Sequence, residues 1–308
     1  MKILVTGGAG FIGSHIVDKY IEEGHSVVVI DNLYSGRIEN LNPKAKFYPM
    51  DIRSKEIEII LEQEKIDVIN HQAAQISVPE SVKKPDFDAD VNIKGVINLL
   101  MAAIKKGVKR FIFASTGGAI YGDTDYYPYT EDAIPFPLSP YAVSKLSAEY
   151  FIKYFSSSND LKYVILRYAN VYGPRQIPQG EAGVISIFME KMKKDEEIII
   201  YSFPDVYDGM IRDYVYVKDV AEANLLALEK GDFEEINIST CKETKTLDLF
   251  LIMKKILNSK SEYKIYPPRL GDIRRSCLRN EKAMHILGWK PKYPLEEGIK
   301  DMVKYYDR

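Results

Sequence analysis

Cysteine is nearly absent from this chain of 308 residues: Cys241 and Cys277 are the only two, far apart and without metal-ligand spacing. That argues against a disulfide framework and fits a reducing compartment. The four histidines, His15, His25, His71 and His285, are scattered and pair with no carboxylate in a ligand pattern, so structural or surface roles are expected and no metal. No apolar run approaches the ~20 residues that a bilayer requires, so no membrane span is expected. The formal net charge is −2, which provides no general attraction to nucleic acid or anionic lipid. The opening MKILVTGGAG runs straight into a strand-like stretch and glycines, without the long apolar core of a secretion signal. A cytoplasmic protein is the expectation.

What is present is an ordinary globular balance, 46% hydrophobic and 28% charged. The first half alternates short β-branched runs (2–6, 26–31, 46–49, 67–70, 110–115) with amphipathic stretches (11–23, 55–64, 88–106). That alternation predicts an α/β fold with a doubly wound parallel sheet of Rossmann type. Runs such as Ile3, Leu4 and Val5 are continuously apolar, as expected of strands covered on both faces. Residues 162–168 read as a further strand. Beyond Pro174 the pattern loosens, which places a first domain at 1–173 and a smaller one at 174–308. A strand at 235–239 is expected to return to the first sheet.

Between the first strand and the first helix stands Thr6-Gly7-Gly8-Ala9-Gly10-Phe11-Ile12-Gly13. Gly8, Gly10 and Gly13 satisfy G-x-G-x-x-G, and Gly7, Gly10 and Gly13 the wider G-x-x-G-x-x-G. Glycine here lets the backbone approach a pyrophosphate whose charge sits at the helix N-terminus. The strand before and the helix after supply the context that this mechanism requires. Asp31 closes the second strand, where a carboxylate accepts hydrogen bonds from ribose hydroxyls and repels a 2′-phosphate. NAD is therefore expected over NADP, and Arg37 reads as a solvated loop charge.

Tyr141 and Lys145 lie four apart just after Ser139-Pro140, an N-cap and first-turn pair. That spacing puts phenol and ammonium on one helical face. A tyrosine ordinarily titrates near 10, and a neighbouring cation favours its phenolate. With 22 tyrosines in the chain, spacing alone is weak evidence. Its position after 111–122, a strand ending in small and hydroxyl residues, raises this pair above the background. Asp213 and Asp219 read as capping or solvated groups, and the tyrosines at 126–129 as a packed loop.

The segments TGGAGFIGSHIVD, DNLYSG, HQAAQISVPESV, FASTGGAIYG, SPYAVSK, LRYANVYGPRQ, GEAGVISIF, DGMIRDYVYVKDVA, PPRLGD and LGWKP run in order along the chain. Together they resemble the extended short-chain dehydrogenase/reductases, and among these the UDP-glucose (UDP-galactose) 4-epimerases. The resemblance implies an NAD-dependent isomerase acting at C4 of a UDP-hexose through a 4-keto intermediate. It places Gly7, Gly10, Phe11, Ile12, Gly13, Asp31, Asn32, Asp51, Ile52, Ala73, Ala74, Asn92, Ser115, Tyr141, Lys145 and Tyr168 around NAD. It places Asn170, Val184, Tyr201, Arg212, Arg269 and Ser276 on the substrate, in a C-terminal substrate-binding domain, with both arginines near the diphosphate. Tyr141 and Lys145 would be catalytic, with Thr116 and Ser115 as candidate catalytic hydroxyls or an ordered water in their stead, and a homodimer through helices 88–106 and 140–156 is implied.

There are three departures from the pattern, the last at two neighbouring positions. Gly117 stands where many similar proteins carry a hydroxyl, leaving Ser115 and Thr116 as the nearest. Ser276 replaces a bulky tyrosine and would admit an N-acetyl group. Leu278 and Arg279 differ from an acidic pattern. A 4,6-dehydratase is disfavoured because Gly118-Ala119 replaces its Asp-Glu; a UDP-glucuronate epimerase or decarboxylase stays open, as does, less favoured, an inactive NAD-binding sensor.

Overall fold

The strands at the centre form because β-branched and aromatic residues run without interruption where both faces are covered: residues 3–5 are wholly buried, as are Phe111, Ile112 and Phe113. Each such side chain contributes roughly 1.5–3 kcal/mol on burial. The computed structural model describes residues 1–124, 126–178, 183–269 and 271–307; 180–182 of the GEAGVISIF segment and Leu270 of PPRLGD lie outside them.

The chain runs β1 (Lys2–Thr6), α1 (Phe11–Glu22), β2 (Ser26–Asp31), β3 (Lys46–Pro49), α2 (Ile57–Glu64), β4 (Val68–His71), α3 (Val78–Lys83), α4 (Pro85–Ala89), α5 (Gly95–Lys105), β5 (Arg110–Thr116), α6 (Gly117–Ile120), α7 (Pro140–Ser157) and β6 (Lys162–Tyr168). There follow β7 (Asn170–Tyr172), α8 (Val184–Met192), β8 (Ile198–Tyr201), β9 (Ile211–Arg212), β10 (Tyr214–Tyr216), α9 (Val217–Leu226), β11 (Glu234–Ile238), β12 (Thr244–Lys245), α10 (Thr246–Leu257), β13 (Tyr263–Tyr266), β14 (Arg275–Ser276) and α11 (Leu295–Tyr306).

Seven parallel strands pair in the order β11-β6-β5-β4-β1-β2-β3. The reversal between β1 and β4 is the crevice where such sheets bind nucleotides. Alternate side chains feed two layers. Ile3, Val5, Val27 and Val29 join Ile16, Val17 and Tyr20, while Leu4, Val28 and Ile30 join Leu61, Leu100, Phe111 and Ile152. A third core gathers Phe188, Ile198, Ile200, Phe250, Met253, Ile299 and Met302 in the C-terminal half.

The helix expected over 88–106 forms, running on from α4 into α5 through a π turn at Asp90–Lys94, and this wider turn presents Asn92 to the loop after β4. Helix α7 begins as anticipated, Ser139 capping the Ala142 amide and Pro140 opening the first turn. Among the described residues no helix is long and apolar enough to cross a membrane.

Candidate active site

The glycine turn works by close approach. Gly7 sits at φ +71°, and a Cβ there would lie 2.7 Å from the amide nitrogen of Ala73. A Cβ on Gly13 would lie 2.1 Å from the Gly7 carbonyl oxygen. The turn is thereby pressed between the loop after β4 and the start of α1, and Gly10 caps α1 without a side-chain acceptor. Such a turn suits an anionic pyrophosphate. Phe11 and Ile12, half-buried on the first turn, brace it against the third core.

At the end of β2, Asp31 is 7% exposed and accepts from the amides of Ala9 (3.0 Å) and Leu33 (2.8 Å). Burial nonetheless pushes its carboxyl above the usual range. Beside it Asn32 donates to Asp51 (2.9 Å), and Arg53 grips Asp51 through two nitrogens at 2.8 Å. That guanidinium holds the Asp51 carboxyl down at about 2. Ile52 is buried against Gly95 at the start of α5. A cradle that any Cβ would fill, with a buried carboxylate at the ribose position, fits a dinucleotide with free ribose hydroxyls.

Ala73 and Ala74 form the loop that meets Gly7. Asn92 clamps it, accepting from the Gln75 amide (2.9 Å) and donating to the Gln75 carbonyl (2.8 Å). Buried Asp88 accepts from both the Gln75 and Asn92 side chains. Asn92 therefore holds the loop. Tyr168 is 5% exposed, its hydroxyl accepting from Asn224 (2.8 Å) and Gln72 (3.3 Å), and burial pushes it up to about 12. Gln72, Asn70, Tyr20 and Asn224 complete a buried polar network that sequence reading missed. Its only trace in sequence was polar residues inside apolar elements.

On α7, Tyr141 is half-buried and its amide donates to Ser81 Oγ on α3 (3.2 Å). Lys145 is 4% exposed, its Nζ 4.2 Å from the centre of the Phe113 ring. Burial pushes its ammonium down to about 7, opposed by the carboxylates of Glu149 and Asp88. Strand alternation separates the two hydroxyls that sequence had grouped. Ser115 is buried toward α7 and donates to Glu149, which also pairs with Arg167 at 2.7 Å. Thr116 faces the other way, near Gly118.

A Cβ on Gly118 would meet Thr116 Oγ1 at 3.8 Å, Ser276 Oγ at 3.9 Å and Asn170 Nδ2 at 4.0 Å, so these three side chains converge on one polar space. Ser276 is 1% exposed and its Oγ has no hydrogen-bond partner among the described residues. Asn170 donates to the Asp213 carbonyl (3.2 Å), next to Arg212. Among the described residues Arg212 makes four hydrogen bonds, all to neutral atoms: the carbonyls of Ile211, Ile273 and Arg274 and Met210 Sδ. Desolvation lowers its pKa. Arg269 lies at the mouth, paired with Asp272 and stacked 4.6 Å over the Tyr201 ring. Val184 is half-buried at the first turn of α8.

Two expectations need correcting. Asp213 is not solvated: it is wholly buried and its carboxylate accepts from Thr240, Cys241 and Leu278 amides and the Thr240 hydroxyl. Asp219 is 1% exposed and holds the amides of Lys292 and Tyr293. Both tie together segments distant in sequence, which no local pattern announces.

Residues 3–239 match the family described as NAD dependent epimerase/dehydratase. The chain is 42% identical to the UDP-glucose 4-epimerase of Mycolicibacterium smegmatis over 99% of its length and 98% of that protein's. The Thermotoga maritima UDP-glucose 4-epimerase, solved with UDP-glucose, is 51% identical with a TM-score of 0.96, covering 100% of this chain and 99% of that one. The Thermus thermophilus UDP-glucose 4-epimerase, solved with NAD, is 43% identical with a TM-score of 0.94 over 100% and 99% of the two chains. A parallel sheet that reverses at a glycine turn, a Tyr–Lys helix beside it and full-length identity at this level agree: the chain belongs to the NAD dependent epimerase/dehydratase family, within the extended short-chain dehydrogenase/reductases.

Proposed function

We propose that this protein interconverts UDP-galactose and UDP-glucose by epimerisation at C4, with NAD as its resident cofactor. The observation that carries the reading is the position of α6, which touches both α7, bearing Tyr141 and Lys145, and β14, bearing Ser276. That contact supports reading the proton-transfer and substrate-side groups as parts of one site.

Gly7, Gly10, Phe11, Ile12 and Gly13 would hold the NAD pyrophosphate, Asp31 and Asn32 the adenosine ribose, and Asp51 and Ile52 the adenine. The Ala73–Ala74 loop, clamped by Asn92, and Tyr168 would flank the nicotinamide half. Bound NAD would supply the hydride acceptor, and in its reduced form the hydride donor, for C4 of the sugar. Tyr141 removes the proton of the 4-hydroxyl and later returns it, and the Lys145 cation one turn away favours its phenolate. Thr116 offers the hydrogen bond to the 4-oxygen, since Ser115 is committed to Glu149. Arg212, a cation surrounded by neutral partners, awaits an anion, and with Arg269 it would clamp the diphosphate. Tyr201 and the backbone at Val184 would hold the uridine. With the sugar anchored only through its diphosphate, the 4-keto form would have freedom to turn over beside Tyr141 and Thr116.

The small side chain of Ser276, in place of a bulky tyrosine, supports tolerance of an N-acetyl group at C2. Val143, Tyr150, Phe151 and Tyr154 on α7 and Met101 on α5 are exposed apolar residues and support a homodimer through these helices. Static light scattering is expected to return twice the 35.2 kDa chain mass, and a monomeric mass would contradict the pairing. The two free cysteines accord with a cytoplasmic location.

The purified protein, incubated with UDP-galactose and no added cofactor, is expected to form UDP-glucose by NMR. The Tyr141→Phe variant should stay folded and lose this activity. Absence of conversion even with NAD supplied would refute the reading and turn attention to UDP-glucuronate.

A further inference from the structure

We infer that Leu278 is a positioning residue: its side chain occupies the place that a side chain at Gly117 would take, leaving Thr116 as the hydroxyl presented to the reacting end of the cavity. The inference rests on the proposed reaction for its chemical half and on packing alone for its structural half.

The end of β5 offers successive positions for presenting a hydroxyl, and they are not equivalent. Ser115 is turned toward α7 and committed to Glu149. A Cβ on Gly118 would meet only polar atoms, at ordinary contact distances of 3.8–4.0 Å. At Gly117 the situation is opposite. A Cβ there would lie 2.3 Å from Leu278 Cδ1, 3.1 Å from Cδ2 and 3.3 Å from Cγ. Both methyls and the branch point face the glycine, so a rotation of one methyl does not clear the space.

Nor has Leu278 anywhere to retreat. It is wholly buried, its amide donates to Asp213 Oδ2 (3.4 Å) and its carbonyl accepts from Ser239 Oγ (3.0 Å). On either side, the Cys277 carbonyl accepts from the Tyr129 amide (2.9 Å) and the Arg279 amide donates to the Tyr129 carbonyl (2.8 Å). The segment is thus tied from two directions. Buried Asp213 holds one side through bonds that also fix Thr240 and Cys241, and the 129 loop holds the other. Because the same segment carries Ser276, the contact of Leu278 with Gly117 also sets the spacing between α6 and β14, and so the width of the sugar cavity. Close-packed interiors tolerate neither an added side chain here nor an unfilled hole.

The test compares Gly117→Ser, Leu278→Ala and the double variant, each as purified holoenzyme, with Thr116→Val made in the wild type and in the double. Both single variants are expected to melt several degrees below the wild type, Gly117→Ser by overpacking and Leu278→Ala by its cavity. The double variant should melt above the value that their separate losses sum to. Thr116→Val should cost on the order of 100-fold in kcat in the wild type. In the double variant it should cost no more than about tenfold, because the serine at 117 then supplies a hydroxyl. Strictly additive melting losses would overturn the packing claim. An equal Thr116→Val loss in both backgrounds, or a double variant that regains stability but not activity, would overturn the positioning claim. Tyr141→Phe run alongside reports on the reaction itself: if it stays active, the proposed chemistry fails while the melting data still decide the packing.

Discussion

Lys145 is the most exposed to a quantitative check, because its charge is held where the protein solvates it poorly. It is almost wholly buried, and burial takes its ammonium from 10.5 down to about 7. At about 1.4 kcal/mol per pH unit this amounts to on the order of 5 kcal/mol. The groups facing it are Glu149 on its own helix, Asp88 on α4 and His71 on β4, which burial keeps neutral. Glu149 is already shared with Arg167 and Ser115, so it compensates only in part. The sign follows from linkage. The unfolded chain keeps this proton up to about pH 10.5 and the folded chain releases it near 7, so folding is penalised most below pH 7. The penalty shrinks by about 1.4 kcal/mol per unit as pH rises from 7 to 10.5. Lys145→Met, similar in length and uncharged, is therefore expected to abolish turnover and to stabilise the nucleotide-free protein. The gain should approach 5 kcal/mol, as an upper bound, at pH 6 and fade by pH 10. Guanidinium unfolding of both proteins, stripped of cofactor, at four pH values in that range measures the difference directly. Titrations common to the two cancel. A variant less stable than the wild type at pH 6, or a pH-independent difference, would refute the reasoning.

Two further substitutions address the nucleotide sites. Gly7→Ala places a Cβ 2.7 Å from backbone at a left-handed φ, where the conformation alone costs about 1–2 kcal/mol; the variant should purify without nucleotide, read from absorbance after heat release, and full occupancy would contradict the tight-turn account. Arg212→Gln removes the cation while keeping donors for the surrounding carbonyls. UDP binding by calorimetry should weaken by on the order of 100-fold, as expected for losing charge-assisted bonds to phosphate, and unchanged affinity would place the diphosphate elsewhere.

Much of the architecture was written in local pattern. The strands at 2–6, 26–31, 46–49 and 162–168 could be placed to the residue: each is a short β-branched or aromatic run, the first stopping at Gly7, the second at Asp31 and the last two starting at a lysine. The fourth strand came out one residue later than expected, at Val68–His71, because His71 is polar yet buried, hydrogen-bonded to Thr6 (2.6 Å). That Tyr141 and Lys145 share a helix face was legible from Ser139-Pro140 and the spacing. The π turn at Asp90–Lys94 was not, since it widens the helix without interrupting it and leaves the hydrophobic pattern on either side intact.

Gly117 and Leu278 show where reading the chain stops. In sequence they were two unrelated departures, and Leu278 had no account; in three dimensions they are one contact. Asp213 likewise read as a capping or solvated group, because nothing near it in the chain reveals that residues 240, 241 and 278 donate to it. Sequence alone determined the sheet, the glycine turn and the helix that carries Tyr141 and Lys145, because these depend on periodicity, turn chemistry and neighbours within a few residues. Only the tertiary structure decided that Ser115 points away from the cavity, that Asn92 clamps a loop and that Arg212 stands among neutral partners. Those properties depend on which distant segments exclude water together, and burial of that kind leaves no mark on any single stretch of chain.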